Sequence, residues 1–221
     1  MEEIIDQLAF EKQLWQRGIE LIAGVDEVGR GCLFGDVVSA AVVLPTGLVL
    51  EGINDSKKLS EKKREQLYDQ IVEHAIAYSI ACIPAHIVDI MNIKQASRLA
   101  MKQAVEGLTI KPEYMLIDAE TIELPIPQEA IVKGDAKSQS IGAASILAKV
   151  TRDRLCKHEW NERYPEYQLD KHKGYGTKLH NELILEHGPT PMHRKTFLRK
   201  LLGEQLEDRW NRMNVQARAS D

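Results

Sequence analysis

The sequence has no long hydrophobic run, no paired cysteines, no internal repeat and no low-complexity linker. Each absence excludes something. The longest apolar stretch, residues 37–44, is interrupted by Ser39 and closed by Pro45. That is far short of the roughly 20 residues a helix needs to cross a bilayer. Only three cysteines occur (Cys32, Cys82 and Cys156), with no Cys-x-x-Cys spacing. This excludes a disulfide framework and a cysteine zinc site, and it fits a reducing compartment with the thiols as small core residues. The opening residues, Met-Glu-Glu-Ile-Ile-Asp-Gln, carry neither a basic flank nor an extended apolar segment. No secretory signal is therefore read there, and the cytoplasm is the expected location. With no Pro/Gly/Ser-rich linker, two equal halves are not expected.

What is present describes a globular chain. Its 221 residues are 43% hydrophobic and 28% charged, enough to bury a real core. The net charge of -4 argues on average against a polyanionic partner. A gradient underlies that average. Residues 1–20 hold five acids and two bases, whereas residues 171–200 hold seven Lys/Arg, two acids and four of the seven histidines. A solvated helical surface accounts for this gradient, and so does a phosphate-facing one if the acids elsewhere are committed to metal ions. The four histidines do not form a metal-ligand pattern.

Periodicity predicts an amphipathic helix over residues 2–16, strands over 21–28 and 37–44, and a helix from Ser60 to about His74. A strand over 75–83, a helix over 93–108, and short strands over 114–118 and 130–132 follow. A long helix over 138–164, a turn at 174–177, a helix over 177–187 and a last helix from about His193 complete the reading. The fold class is α/β, a mixed central sheet with flanking helices and a helical C-terminal extension. The first three strands are expected to pair antiparallel and the later ones to join in parallel. The expected division is an N-terminal helix (1–18), a main domain including the C-terminal helical region (19–203) and a polar tail (204–221).

Acids fall at the ends of apolar strands. Asp26 and Glu27 close Leu-Ile-Ala-Gly-Val, Asp118 closes Tyr-Met-Leu-Ile, and Asp135 follows the strand ending at Val132. A carboxylate in a core strand costs several kcal/mol unless its charge is compensated. Divalent cations compensate it, and hard oxygen donors select magnesium or manganese over zinc. Four carboxylates suffice for two ions about 4 Å apart, the arrangement of in-line phosphoryl displacement. For Asp135, capping the following helix is the alternative role. Asp26 and Glu27 pose a geometric question, because neighbours in a strand point to opposite faces. The glycines of Gly29-Arg30-Gly31 permit a bend and a close backbone approach, and Arg30 offers a fork suited to phosphate.

These residues resemble a known family. Gly24-Val25-Asp26-Glu27-Val28-Gly29-Arg30-Gly31 is similar to the signature of the bacterial type 2 ribonucleases H, the ribonuclease HII family. Further blocks resemble the family in order. They are Asp55-Ser56-Lys57-Lys58-Leu59-Ser60, Leu116-Ile117-Asp118, Lys133-Gly134-Asp135, the run from Ala143 to Asp153, His172-Lys173-Gly174-Tyr175-Gly176-Thr177, and Gly188-Pro189-Thr190 with His193-Arg194. Ala119 follows Asp118 where the family often has glycine.

The resemblance implies an RNase H-like fold and cleavage of the RNA strand of RNA–DNA hybrids with Mn2+ or Mg2+ in a two-ion site. It also implies incision 5′ to single ribonucleotides embedded in duplex DNA, with 5′-phosphate and 3′-hydroxyl products. On it, Asp26, Glu27, Asp118 and Asp135 fall on the four catalytic, metal-holding acids. Gly29, Arg30 and Gly31 fall on the loop that senses the ribonucleotide 2′-hydroxyl, and Tyr175 on the tyrosine against the neighbouring deoxyribose. Lys57 is a candidate phosphate ligand, as are Lys173–Lys178 and Arg194-Lys195. Ser138 either caps its helix or helps that helix hold a phosphate. Expected partners are RNA–DNA hybrids and ribonucleotide-containing duplexes, with no membrane, a monomeric chain, and the tail as a candidate contact for a replication clamp. The sister ribonuclease HIII family usually has lysine at the Arg30 position and an extra N-terminal domain. A non-catalytic hybrid-binding module would keep Arg30 and Tyr175 but lack the acids.

Overall fold

A computed structural model describes residues 6–53 and 59–218. In chain order they form α1 (Ala9–Trp15), β1 (Ile22–Val28), β2 (Val37–Val43), α2 (Glu61–His74), β3 (Ala77–Ile83), α3 (Ala85–Met91) and α4 (Ile93–Glu106). Then come β4 (Tyr114–Asp118), β5 (Gln128–Ile131), α5 (Gly134–Lys137), α6 (Gln139–Lys157), α7 (Glu159–Arg163), α8 (Leu169–His172), α9 (Lys178–His187), α10 (Arg199–Leu202) and α11 (Gln205–Arg218). The sheet order is β3-β2-β1-β4-β5. β1 runs antiparallel to β2 and parallel to β4, and β4 is parallel to β5. This is the expected mixed α/β sheet.

Caps set several boundaries. Ser60 accepts the amide of Lys63 at the start of α2, and Thr177 accepts that of His180 at the start of α9. Three expectations are corrected. The helix expected over 138–164 ends at Lys157, and α7 follows a non-helical His158. The last helix is broken at Gly203, whose φ is +51°. The expected polar tail contains α11, because Leu206, Trp210 and Met213 recur at helical spacing on a covered face. Helix α3 has no counterpart in the sequence reading. The part of the first expected helix before Asp6 lies outside the described residues. Of the cysteines, Cys32 and Cys156 are buried, while Cys82 is exposed.

The chain forms two compact units. Among the described residues, the first holds those up to Val28 together with those of Val38–Cys82 and Ser97–Thr151. Its sheet buries both faces, as strand parity requires. Ala23, Val25, Ala41, Val43, Met115 and Ile117 pack with Met101, Ala104 and Val105 of α4. On the other face, Ile22, Leu116 and Ile131 pack with Leu14 of α1 and Ile141 of α6. Gly24 lies on that second face. A Cβ there would sit 2.1 Å from the Ser140 carbonyl, so glycine is what lets α6 lie against β1.

The second unit holds Gly29–Val37, Ile83–Ala96 and the described residues from Arg152 onward. Phe34 is its hub. Its ring meets Trp160, Tyr164 and His193 edge-on, with centroids 5.9, 5.6 and 4.9 Å away. Around it pack Cys156, Leu169, Leu183, Ile184, Leu198 and Leu202.

Gly24→Ala forces a methyl group into the Ser140 backbone and is expected to lower stability by about 3 kcal/mol. Urea unfolding of the metal-free protein measures it. A loss under about 1 kcal/mol contradicts the close approach described for α6.

Candidate active site

Parallel pairing brings two acids level. The β1–β4 register runs from Ile22↔Tyr114 to Val25↔Ile117. The next residues are Asp26 and Asp118, on strands about 4.8 Å apart. Alternation puts Asp26 on the face of Ile22 and Gly24, and Asp118 on the face of Leu116. Both therefore lie on the α6 side, at the C-terminal ends of parallel strands, where α/β sheets collect ligands.

Each carboxylate is oriented. Asp26 Oδ1 accepts the amide of Glu27 at 2.7 Å, and the Ser145 side chain of α6 also hydrogen-bonds Asp26. Ser39 Oγ donates to the Asp26 carbonyl at 2.7 Å. Asp118 Oδ1 accepts the amide of Gly134 at 2.6 Å. That bond draws the start of α5 to the end of β4. A Cβ at Gly134 would meet Asp118 Oδ1 at 3.3 Å and an Ile141 methyl at 2.6 Å. The next residue along is the buried Asp135. Ala119, just past Asp118, has φ +53°. That left-handed conformation is one that glycine adopts at less cost than alanine.

Glu27 answers the geometric question in part. It remains in the strand, opposite Ser39, so parity places it on the α4 side. The Asp26 carboxylate turns along the chain toward it. Burial raises the Asp26 pKa well above the ordinary carboxylate value, and the charges of Glu27 and then Asp118 raise it further. The hydrogen bonds from Ser145 and the Glu27 amide act the other way. Among the described residues, no three His, Cys, Asp or Glu side chains stand as a ready-made metal cage. The donor set fits hard cations nonetheless. It consists of carboxylate oxygens, and a divalent ion relieves the repulsion that now favours a proton on Asp26.

Other expected site residues fall elsewhere. Lys57 lies outside the described residues. Ser138 is wholly buried. Its Oγ donates to Glu11 Oε1 at 2.6 Å and accepts the amide of Ile141 at 3.2 Å, while the Ser140 amide also donates to Glu11 Oε1. The capping role therefore describes Ser138. Its expected phosphate contact is corrected, because a carboxylate from α1 already occupies the N-terminus of α6. Glu11 was not singled out from sequence, and no local pattern marked it.

In the second unit, the residues 29–31 loop and Tyr175 are joined. Cys32 and Tyr175 form an antiparallel bridge, and the Leu33 amide donates to the Gly174 carbonyl at 2.8 Å. Gly29 has φ +93°, and a Cβ there would lie 2.5 Å from Arg152 Nε and 2.9 Å from the Asp36 carbonyl. Nothing crowds a Cβ at Gly31. Tyr175 is 37% exposed. Burial and the neighbouring Cys32 push its phenol up to about 12, so it stays neutral at working pH. Arg194 was expected at a phosphate but is fully buried. Its guanidinium is used internally.

Comparison with known proteins decides the family. A profile of ribonuclease HII matches residues 23–200. The chain belongs to the ribonuclease HII family. A ribonuclease HII from Alkaliphilus metalliredigens (strain QYMF) is 56% identical over 204 residues, covering 90% of this chain and all of that one. The crystal structure of ribonuclease H2 from Pyrococcus horikoshii OT3 superposes with a TM-score of 0.71 at 26% identity, over 84% of this chain and 98% of that one. A Bst-RNase HIII crystallised in complex with Mn2+ gives a TM-score of 0.64 at 19% identity, over 94% and 74% of the respective chains. The fold is RNase H-like. Ribonucleases HII are endonucleases, hydrolases that act on the RNA of RNA–DNA hybrids, and the family is divalent-metal dependent. No helix among the described residues is long and apolar enough to cross a membrane.

The raised pKa of Asp26 has a definite sign. Unfolded, this carboxyl ionises near 3.9; folded, it holds its proton to higher pH. Its contribution to stability is therefore complete below the unfolded value and is lost as pH rises through the folded one. In chelator, the stability of wild type minus that of Asp26→Asn is expected to fall as pH increases from 4 to 8. Urea titrations at several pH values measure it, and parallel curves contradict the assignment.

Proposed function

We propose that Asp26, Glu27, Asp118 and Asp135 are the catalytic acids of this ribonuclease and hold two Mn2+ or Mg2+ ions. We further propose that it incises 5′ to single ribonucleotides embedded in duplex DNA. The carrying observation is the pair Asp26 and Asp118, side by side on adjacent parallel strands, with Asp26 buried among like charges.

Each residue then has a task. Ser145 and the Glu27 amide hold Asp26 in one orientation. The Gly134 amide fixes Asp118 Oδ1, which directs Oδ2 as the donor. Asp135, the residue after Gly134, and Glu27, whose charge already acts on Asp26 from across the strand, complete the set. When bound, the ions supply Lewis acidity at the scissile phosphate and a water of lowered pKa for in-line attack. The products carry 5′-phosphate and 3′-hydroxyl ends.

Recognition is assigned to the second unit. Gly29 and Gly31 let backbone approach a sugar closely, and Arg30 supplies a charged fork to the neighbouring phosphate. The 2′-hydroxyl, a donor and acceptor absent from DNA, marks the ribonucleotide. The exposed face of Tyr175 packs on the next sugar, where a missing hydroxyl leaves room for the ring. The basic residues of 171–200 that reach solvent favour the polyanion. Location in the cytoplasm and a replication-clamp contact through residues 204–221 belong to the same proposal.

The test is incision of a duplex bearing one ribonucleotide, with and without chelator. Wild type is expected to cut 5′ to that ribonucleotide only when Mn2+ or Mg2+ is present. Asp118→Asn is expected to lose at least ~100-fold in turnover at saturating Mn2+, with unchanged circular dichroism. Undiminished turnover contradicts the metal assignment. Cleavage of hybrids without incision at the single ribonucleotide contradicts the substrate assignment and favours ribonuclease HIII-like specificity.

A further inference from the structure

Two arginines of the second unit are fully buried, and the oxygens they donate to are all backbone carbonyls. Arg152 donates from Nε to Asp36 at 3.0 Å, from Nη2 to Phe34 at 2.8 Å and from Nη1 to Lys173 at 2.7 Å. Arg194 donates from Nη1 to Arg30 at 3.0 Å, and from Nε and Nη2 to Gly35 at 3.1 and 2.9 Å. Six guanidinium bonds thus converge on residues 30–36 and on Lys173, two positions before Tyr175.

Main-chain bonds complete the set. Leu33 donates to Gly174, Arg194 to Leu33 and Gly35 to Met192, each at 2.8 Å. Bridges join Cys32 to Tyr175 and Phe34 to His193. The glycines fit this packing. A Cβ at Gly29 would strike Arg152, and one at Gly174 would lie 2.9 Å from the Phe34 carbonyl.

The charge is the informative part. Burying a guanidinium costs several kcal/mol, and well-packed apolar residues usually stabilise a core at least as well. Asp36 and Asp89 act on Arg194 and Asp153 on Arg152, yet the oxygens the two guanidinium groups donate to are carbonyls, and Asp36 Oδ1 is buried and accepts no hydrogen bond. The arginines are therefore not explained as halves of a salt bridge. What a planar fork does that an apolar side chain cannot is fix several carbonyls at set distances from one another. Here those carbonyls belong to the Arg30 loop and to the approach to Tyr175.

We infer that Arg152 and Arg194 are positioning residues that lock the Gly29–Gly35 loop and the Tyr175 turn into one frame, holding Arg30 and Tyr175 at a fixed separation that sets selectivity for a ribonucleotide–deoxyribonucleotide junction. The inference rests on the assignment of Arg30 and Tyr175 to that junction. Neither arginine touches the substrate. Their effect falls on the preference between substrates more than on turnover itself.

The experiment compares wild type, Arg30→Ala, Arg194→Lys and Arg152→Lys. Its readout is kcat/KM for a single-ribonucleotide duplex divided by kcat/KM for a uniform RNA–DNA hybrid. Lysine keeps the charge and loses the fork. Both lysine variants are expected to lower that ratio at least ~10-fold, with the loss mainly in KM for the junction substrate. If Arg30→Ala leaves the ratio unchanged, the junction assignment fails and the inference falls with it. If Arg30→Ala lowers the ratio while the lysine variants do not, or if they depress both substrates equally, the frame is overturned and the assignment stands. Should the lysine variants not fold, native-state hydrogen exchange on the unaltered protein decides. The amides of Leu33, Gly35 and Arg194 are expected to open together with one free energy, and independent opening overturns the frame.

Discussion

Repulsion on one buried carboxylate, that of Asp26, from the half-buried acids beside it is the constraint on which the rest of this molecule turns. Parallel pairing of β1 with β4 sets Asp26 level with Asp118, and chain continuity sets Glu27 beside Asp26. In an apolar sheet this arrangement is unfavourable, and a domain selected for stability alone has no use for it. The surrounding structure nevertheless enforces it. Gly24 admits α6 against β1, α6 brings Ser145 to Asp26, and the Gly134 amide clamps Asp118. Sheet, helix and turn together hold Asp26 where a cation, or a proton, relieves the charge around it.

The second unit solves a different problem with the opposite charge. Its loop and turn have little regular structure of their own, so their geometry must come from side chains. Arg152 and Arg194 supply it by satisfying backbone carbonyls that strands would otherwise satisfy. Nearby, His180 illustrates the same economy of protons. Its Nδ1 donates to the Tyr175 carbonyl, so its Nε2 is left to accept from Nε2 of His193, whose Nδ1 accepts the amide of Thr190. Burial, and then His172, bring His180 down to about 4. These rings hydrogen-bond to one another and to the backbone around the Tyr175 turn.

Much of this is legible in the sequence. The strand-end positions of Asp26 and Asp118 are legible from alternation and apolar runs, because a charged residue in a core strand is conspicuous, whereas Asp135 lies past β5 in α5. The mixed sheet followed from the order of periodic segments. Helix lengths were less accessible: α6 stops at Lys157 through the backbone of His158, and α3 has no strong period of its own. The phosphate role offered for Ser138 beside its capping role, and the one offered for Arg194, fail for one reason. A polar residue reads as a surface ligand when the partner that buries it lies far along the chain, here Glu11 and the carbonyls of residues 30 and 35. No local pattern encodes such a contact.

The most direct measurement is calorimetric titration of Mn2+ into the metal-free protein at mildly acidic pH, in buffers of different ionisation enthalpy. If cations replace a proton held among the strand-end acids, binding releases protons and tightens as pH rises, and Asp26→Asn abolishes the release. Manganese binding without proton release, or release unchanged in Asp26→Asn, contradicts the account.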